Sequence, residues 1–232
     1  YVKGMAITDA CDEQKLNTIQ RLELMAKVCD AVQHAHTRTI IHRDLKPSNI
    51  LVYFDDDDVP QPKIIDFGVA KATSGQKLTE KTLFTQVGKV IGTPAYMSPE
   101  QADLKITDID TRTDVYALGV ILYELLSGRL PFDPLSLEKA GFIKRREIIC
   151  NEVPPTPSTQ LSSIDVDEAD LIAQRRQTKT HLLTQLLKKE LEWIPLKAIR
   201  KMPRNRYSSA KSMAQDIRSY LDGNPLEARP ES

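Results

Sequence analysis

Apolar residues between Asn17 and His36 recur at helical spacing as Ile19, Leu22, Met25, Cys29 and Val32, which predicts a long amphipathic helix. Asn17 can accept a backbone N–H at its start and Gln20 can reciprocate, the pattern of a capping box. Three short apolar runs follow, Ile40-Ile41, Ile50-Leu51-Val52 and Lys63-Ile64-Ile65, separated by polar loops, and they read as small strands flanking a site. From Thr113 to Leu126 the pattern changes. Val115, Leu118, Ile121, Leu122 and Leu125 share one face while Ala117, Gly119 and Val120 leave the others apolar, which predicts a helix buried all round. Gly128 and Pro131 stop it. Leu182 to Lys189 and Leu191 to Lys201 read as helices, and Ser209 caps another that carries Met213, Ile217, Tyr220 and Leu221 on one side. Gly223 and Pro225 end it, leaving Leu226 to Ser232 as a frayed tail or the start of a linker. The expected fold is mostly α, a helical bundle around a buried central helix with short β-strands beside the site.

A length of 232 residues fits one main domain with its own core. Lys plus Arg (32) balances Asp plus Glu (32), so no global field favours nucleic acid or an anionic membrane. The basic clusters Lys144-Arg145-Arg146, Arg175-Arg176 and Lys188-Lys189 read as solvated helix surface, and Asp55 to Asp58 as a solvated turn. Cys11, Cys29 and Cys150 have neither metal spacing nor an even count, which fits a reducing, cytoplasmic compartment. The longest apolar stretch, Tyr116 to Tyr123, is far shorter than the roughly 18 residues of a membrane span. Between Asn151 and Glu192, Pro154, Pro155 and Pro157 announce a turn into further helix whose purpose the sequence does not disclose.

The chemistry is concentrated in His42-Arg43-Asp44-Leu45-Lys46-Pro47-Ser48-Asn49 and in Asp66-Phe67-Gly68, which follows the third apolar run. Together these resemble the catalytic loop and metal-binding triplet of protein kinases, and the ordered spacing makes the resemblance specific. Phosphoryl transfer from ATP requires charge neutralisation and in-line positioning more than covalent help. On this resemblance Asp44 is the catalytic base, accepting a hydrogen bond from a substrate hydroxyl and taking its proton late. Lys46 offsets charge on the transferring phosphoryl group, and a lysine there is more similar to serine/threonine than to tyrosine kinases. Asn49 and Asp66 offer hard oxygen ligands for Mg²⁺ held jointly with the nucleotide phosphates.

Further along, Gly92-Thr93-Pro94-Ala95-Tyr96-Met97-Ser98-Pro99-Glu100 resembles the end of a serine/threonine kinase activation segment, with Ser98 where the family commonly has alanine. The resemblance implies that Thr93 contacts Asp44 and Lys46, and that Glu100 pairs with Arg206 as a structural ion pair. It also implies that Asp114 bonds backbone of the His42-Arg43-Asp44 loop; a simple N-cap role for Asp114 is the other reading. Arg43 is expected to bind phosphate placed on the activation segment, with Thr79, Thr82 and Thr85 as candidate acceptors.

Tyr1-Val2-Lys3-Gly4 resembles the hinge between the two lobes of the family, so Val2 is expected to touch adenine through its backbone. The resemblance then covers the hinge and the C-terminal lobe, residues 1–222 as a partial kinase domain, with residues 223–232 as the tail. No glycine-rich loop or strand lysine precedes the catalytic loop, so the smaller lobe is expected to be a missing partner and the 232 residues alone to lack measurable phosphotransfer. The implied substrate is a protein, with ATP and Mg²⁺ as cofactors and any membrane anchor outside these residues. Two other classes compete: a non-catalytic docking or pseudokinase-like module, and a small-molecule phosphotransferase. The intact Asp44, Lys46, Asn49 and Asp66 weigh against the first, and the Gly92 to Glu100 segment, which suits a peptide, against the second.

Overall fold

Two-residue strand β1 (Met5–Ala6) lies antiparallel to β2 (Ile50–Phe54), and β2 pairs antiparallel with β3 (Pro60–Ile64), with Ile50 opposite Ile64. The computed structural model describes residues 4–67, 94–103 and 109–230. The sheet order β1-β2-β3 leaves β3 at an edge. Pro60 and Pro62 lack an N–H, so the ladder falls on the alternate residues and continues as Ile65 N–H donates to the Asn49 carbonyl at 2.9 Å. Pro60 points its carbonyl outward to Lys27 Nζ at 3.0 Å. The strand therefore starts earlier than its apolar run. The turn at 55–59 is closed by Asp55, whose carboxylate accepts the Asp57 and Val59 N–H groups at 3.1 and 2.9 Å.

Helix α1 (Ile7–Glu13) leads into α2 (Thr18–His36). Asn17 Oδ1 accepts the Gln20 N–H at 3.0 Å and Asn17 N–H donates to Gln20 Oε1 at 2.9 Å, so the expected capping box is present. Leu22, Met25, Cys29 and Val32 are buried, but Ile19 in the first turn is exposed. Ile40 and Ile41 form no strand. The Ile40 N–H turns back to the Ala35 carbonyl at 3.1 Å to finish α2, and this use of the backbone removes it from any ladder.

The short α3 (Pro99–Ala102) precedes α4 (Arg112–Ser127), the buried helix around which the others pack. A Cβ on Gly119 would lie 2.5 Å from Ala198 Cβ and 2.8 Å from Ile199 Cγ2, so only glycine permits this approach. Gly128 closes α4 in the left-handed region at φ 72°, where its N–H reaches the Glu124 carbonyl at 2.8 Å.

Four helices follow in the stretch that periodicity left unread: α5 (Pro134–Lys139), α6 (Phe142–Asn151), α7 (Pro157–Ser163) and α8 (Val166–Arg175). Asp133, Thr156 and Asp165 cap three of them, and Pro157 occupies a first-turn position that needs no N–H. Then α9 (Thr180–Leu186) runs through a π turn at Leu187–Leu191 to α10 (Trp193–Ala198), and α11 (Ala210–Leu221) packs along α2.

Two expectations about polar segments are corrected. Arg176 is not solvated surface: it is buried and donates from Nε and Nη2 to the Leu125 carbonyl at 3.1 and 2.8 Å. Buried Arg21 reaches the same carbonyl at 3.3 Å, so two cations serve the C-terminal, electronegative end of α4. The residues after Gly223 do not fray at once either. Leu226 and Ala228 are buried, and Asp216 accepts the Glu227 and Ala228 N–H groups at 2.6 and 2.9 Å. Among the described residues no helix is long and apolar enough to cross a membrane.

Candidate active site

The first turn of α4 holds the loop that carries the sequence motif. Asp114 is the third residue of that helix and Thr111 occupies the capping position, so the N-cap reading of Asp114 is corrected. Its carboxylate is buried and accepts the backbone N–H of His42 at 2.8 Å and of Arg43 at 2.9 Å. His36 Nε2, at the end of α2, lies 2.8 Å from the same carboxylate. Three elements thus converge on one buried anion, whose remaining cost of burial is offset by these donors.

Arg43 adopts φ 64°, a left-handed conformation that costs a non-glycine residue roughly 1–3 kcal/mol and persists only when its surroundings impose it. Here they do. Asp114 holds its N–H, and Gln101 Nε2, from α3, donates to its carbonyl at 2.7 Å. The N–H of that same Arg43–Asp44 peptide is held by His42: Asp44 N–H faces Nδ1 at 3.3 Å, while Nε2 faces the Ile65 carbonyl at 2.9 Å. A donor aimed at Nδ1 and an acceptor aimed at Nε2 select the Nε2–H tautomer of neutral imidazole. The ring also packs on Phe67, with centroids 4.8 Å apart.

Within this frame Asp44 and Lys46 come together, Lys46 Nζ lying 3.2 Å from Asp44 Oδ2 with both side chains partly open to solvent. Buried Asn49 sits at the end of the 3₁₀ turn Pro47–Asn49 and donates from Nδ2 to the Asp44 carbonyl at 2.8 Å, leaving its amide oxygen as an acceptor with no partner among the described residues. Asp66 follows β3 at φ 55°, exposed, with no side-chain partner among the described residues. Among those residues no cluster of three His, Cys, Asp or Glu could cage a metal. One free carboxylate and one amide oxygen nevertheless suit Mg²⁺, which keeps several waters and shares a nucleotide's phosphates instead of requiring a full protein cage. Val2, Thr79, Thr82, Thr85 and Thr93 lie outside the described residues.

Behind the loop, Glu100 and Arg206 form a bidentate pair at 2.6 and 2.7 Å, with side chains 3% and 0% exposed. Thr113 donates to Glu100 Oε1 at 2.8 Å, and the guanidinium satisfies its other donors on the Arg112, Arg200 and Lys201 carbonyls. Burial alone would raise the Glu100 carboxyl, but its bonds to Arg206 overcome this and hold it below the ordinary carboxylate range. Sequence reasoning gave no role to Gln101 or to buried His36, and named His42 only as part of the motif. For Gln101 the available signal was its interval of three from Ser98, which suits a capping box.

Comparison with known proteins gives a consistent picture. A family model described as "Protein kinase domain" matches residues 1–216. The chain is 33% identical over 229 residues to serine/threonine-protein kinase PknB of Mycobacterium leprae, covering 98% of the chain and 30% of that protein. It is 32% identical over 230 residues to serine/threonine-protein kinase PrkC of Bacillus subtilis, covering 99% and 29% respectively. Serine/threonine-protein kinase Pkn1 of Myxococcus xanthus is 34% identical over 202 residues, 86% of the chain and 24% of that protein. The chain therefore spans under a third of the length of these relatives. In fold it is similar to the crystal structure of a double mutant of the PknI kinase domain from Mycobacterium tuberculosis, with a TM-score of 0.58 at 21% identity over 94% of the chain and 63% of that structure.

Proposed function

This chain belongs to the protein kinase domain family, in its bacterial, eukaryotic-like serine/threonine branch, and from that membership we propose that it carries the phosphoryl-transfer site of a protein serine/threonine kinase. The observation that carries the reading is the Asp44–Lys46 pair at 3.2 Å, on a loop whose successive peptide groups are fixed by Asp114, Gln101, His42 and Asn49. Asp44 acts as the base toward a protein hydroxyl, and Lys46, beside it, faces the charge of the transferring group. Asn49 and Asp66 would hold Mg²⁺, which would supply charge neutralisation to the ATP phosphates. Val2 belongs to the adenine contact and Thr93 to the platform for the accepting hydroxyl.

Arg43 is read as the partner of a phosphate on Thr79, Thr82 or Thr85. Its Nε is buried without a hydrogen-bond partner among the described residues, as an unclaimed cationic donor should be. Glu100, Arg206 and Asp114 are structural members of the site.

The test is transfer of labelled phosphate from ATP, with Mg²⁺, to serine or threonine of a generic protein substrate by the intact protein. Asp44→Asn preserves shape but removes the base, and the rate should fall about 10²–10⁴-fold. An Asp44→Asn protein that transfers phosphate at the unaltered rate would refute the assignment.

A further inference from the structure

Gln101 joins two segments through the two ends of one amide. Its Oε1 accepts from both the N–H and the Oγ of Ser98 at 3.2 Å, and its Nε2 donates to the Arg43 carbonyl at 2.7 Å. The orientation is unambiguous, because a backbone N–H only donates and a carbonyl only accepts. Buried Ser98, where the family commonly has alanine, adds its Oγ as a second donor to that same oxygen.

We infer that Gln101 is a positioning residue for Asp44: by holding the carbonyl of the Arg43–Asp44 peptide it fixes the aim of the Asp44 carboxylate and ties that aim to residues 98–102. Among the described residues the N–H of the same peptide is held only by His42 Nδ1, at 3.3 Å. Asp114 holds the preceding N–H groups and Asn49 the following carbonyl, but neither holds the Arg43 carbonyl. With Arg43 at φ 64°, release of that carbonyl frees the peptide to rotate toward an ordinary conformation and carries Asp44 with it. The inference rests on the reading of Asp44 as the base, and misplacement of a reacting group by about 1 Å reduces rates by up to about 10²-fold.

Gln101→Glu separates positioning from helix capping. A glutamate still accepts from Ser98, as in a capping box, but presents an oxygen without a proton to the Arg43 carbonyl. Gln101→Met removes both ends. In the intact protein, Gln101→Glu should lower kcat about ten-fold or more, leave KM for ATP within about two-fold, and accelerate hydrogen exchange in peptides covering 42–46 while those covering 98–102 stay protected. Gln101→Met should accelerate exchange in both. Unaltered kcat and exchange at 42–46 in Gln101→Glu would overturn the inference, as would equal loss of protection at 98–102 in both variants. Should the unsubstituted protein show no Asp44-dependent transfer, the kinase reading fails, and exchange at 42–46 still decides whether Gln101 holds the loop.

Discussion

Asp114 and Arg43 are separated by 71 residues, yet a carboxylate oxygen of the first accepts the backbone N–H of the second at 2.9 Å. The bond fixes a peptide at positive φ next to Asp44, and the other oxygen of the same carboxylate takes the His42 N–H. Asp114→Asn keeps the size of the side chain but turns an NH₂ toward one of these backbone donors. We expect a loss of roughly 2–3 kcal/mol, the range for a charge-assisted hydrogen bond replaced by opposed donors, read as a lower urea midpoint at unchanged slope.

The Glu100–Arg206 pair is expected to behave as a unit. Removing one partner, as Glu100→Gln or Arg206→Met, leaves the other charge buried and should destabilise by about 3–5 kcal/mol, whereas the double variant should lose less than the sum. Chemical denaturation of the four proteins measures this cycle.

The same pair sets a dependence on acid. The Glu100 carboxyl is held below its ordinary range in the folded chain, so its contribution is fully present above the unfolded carboxyl value of about 4.3 and is lost as pH falls through the lower folded value. Stability measured from pH 6 downward should therefore fall more steeply in the unaltered protein than in Glu100→Gln. Parallel curves would show that Glu100 does not contribute to the acid limb.

Gly119→Ala tests the packing of α4. The new Cβ would meet Ala198 Cβ at 2.5 Å and Ile199 Cγ2 at 2.8 Å, against neighbours without flexible ends. Overpacking of this kind should cost about 1–3 kcal/mol, despite the gain in helix propensity from glycine to alanine, and a lowered melting temperature would report it.

Asp216 anchors the chain after α11. It accepts Tyr207 Oη at 2.7 Å as well as the Glu227 and Ala228 N–H groups. Asp216→Ala should destabilise by roughly 2–4 kcal/mol and accelerate hydrogen exchange at the Glu227 and Ala228 amides. Adding Tyr207→Phe removes the stranded hydroxyl and should recover part of the loss.

The long helices were legible because burial imposes a period. Leu22, Met25, Cys29 and Val32 follow the buried face of α2, and the all-round apolar pattern from Thr113 to Leu126 marks a helix buried along all of that span except at Glu124. Residues Ile40-Ile41 misled because two apolar residues fit either a strand or the end of a helix, and only the Ile40 to Ala35 bond distinguishes them. Helices α5 to α8 are short, and α5, α7 and α8 begin with prolines or caps, so they offer too few turns for periodicity to register.

The sequence by itself determined the family and which residue types stand together on the loop, because close, ordered spacing such as that of Asp44, Lys46 and Asn49 needs no distant partner to be read. Tertiary structure decided what holds that chemistry in place. A buried carboxylate satisfied by His36, His42 and Arg43, an amide bridging Ser98 to Arg43, and an arginine turned inward at the end of α4 are choices among polar residues. Exposed and buried polar residues look alike along a chain; only the packing of helices far apart in sequence decides which of them must find a partner away from water.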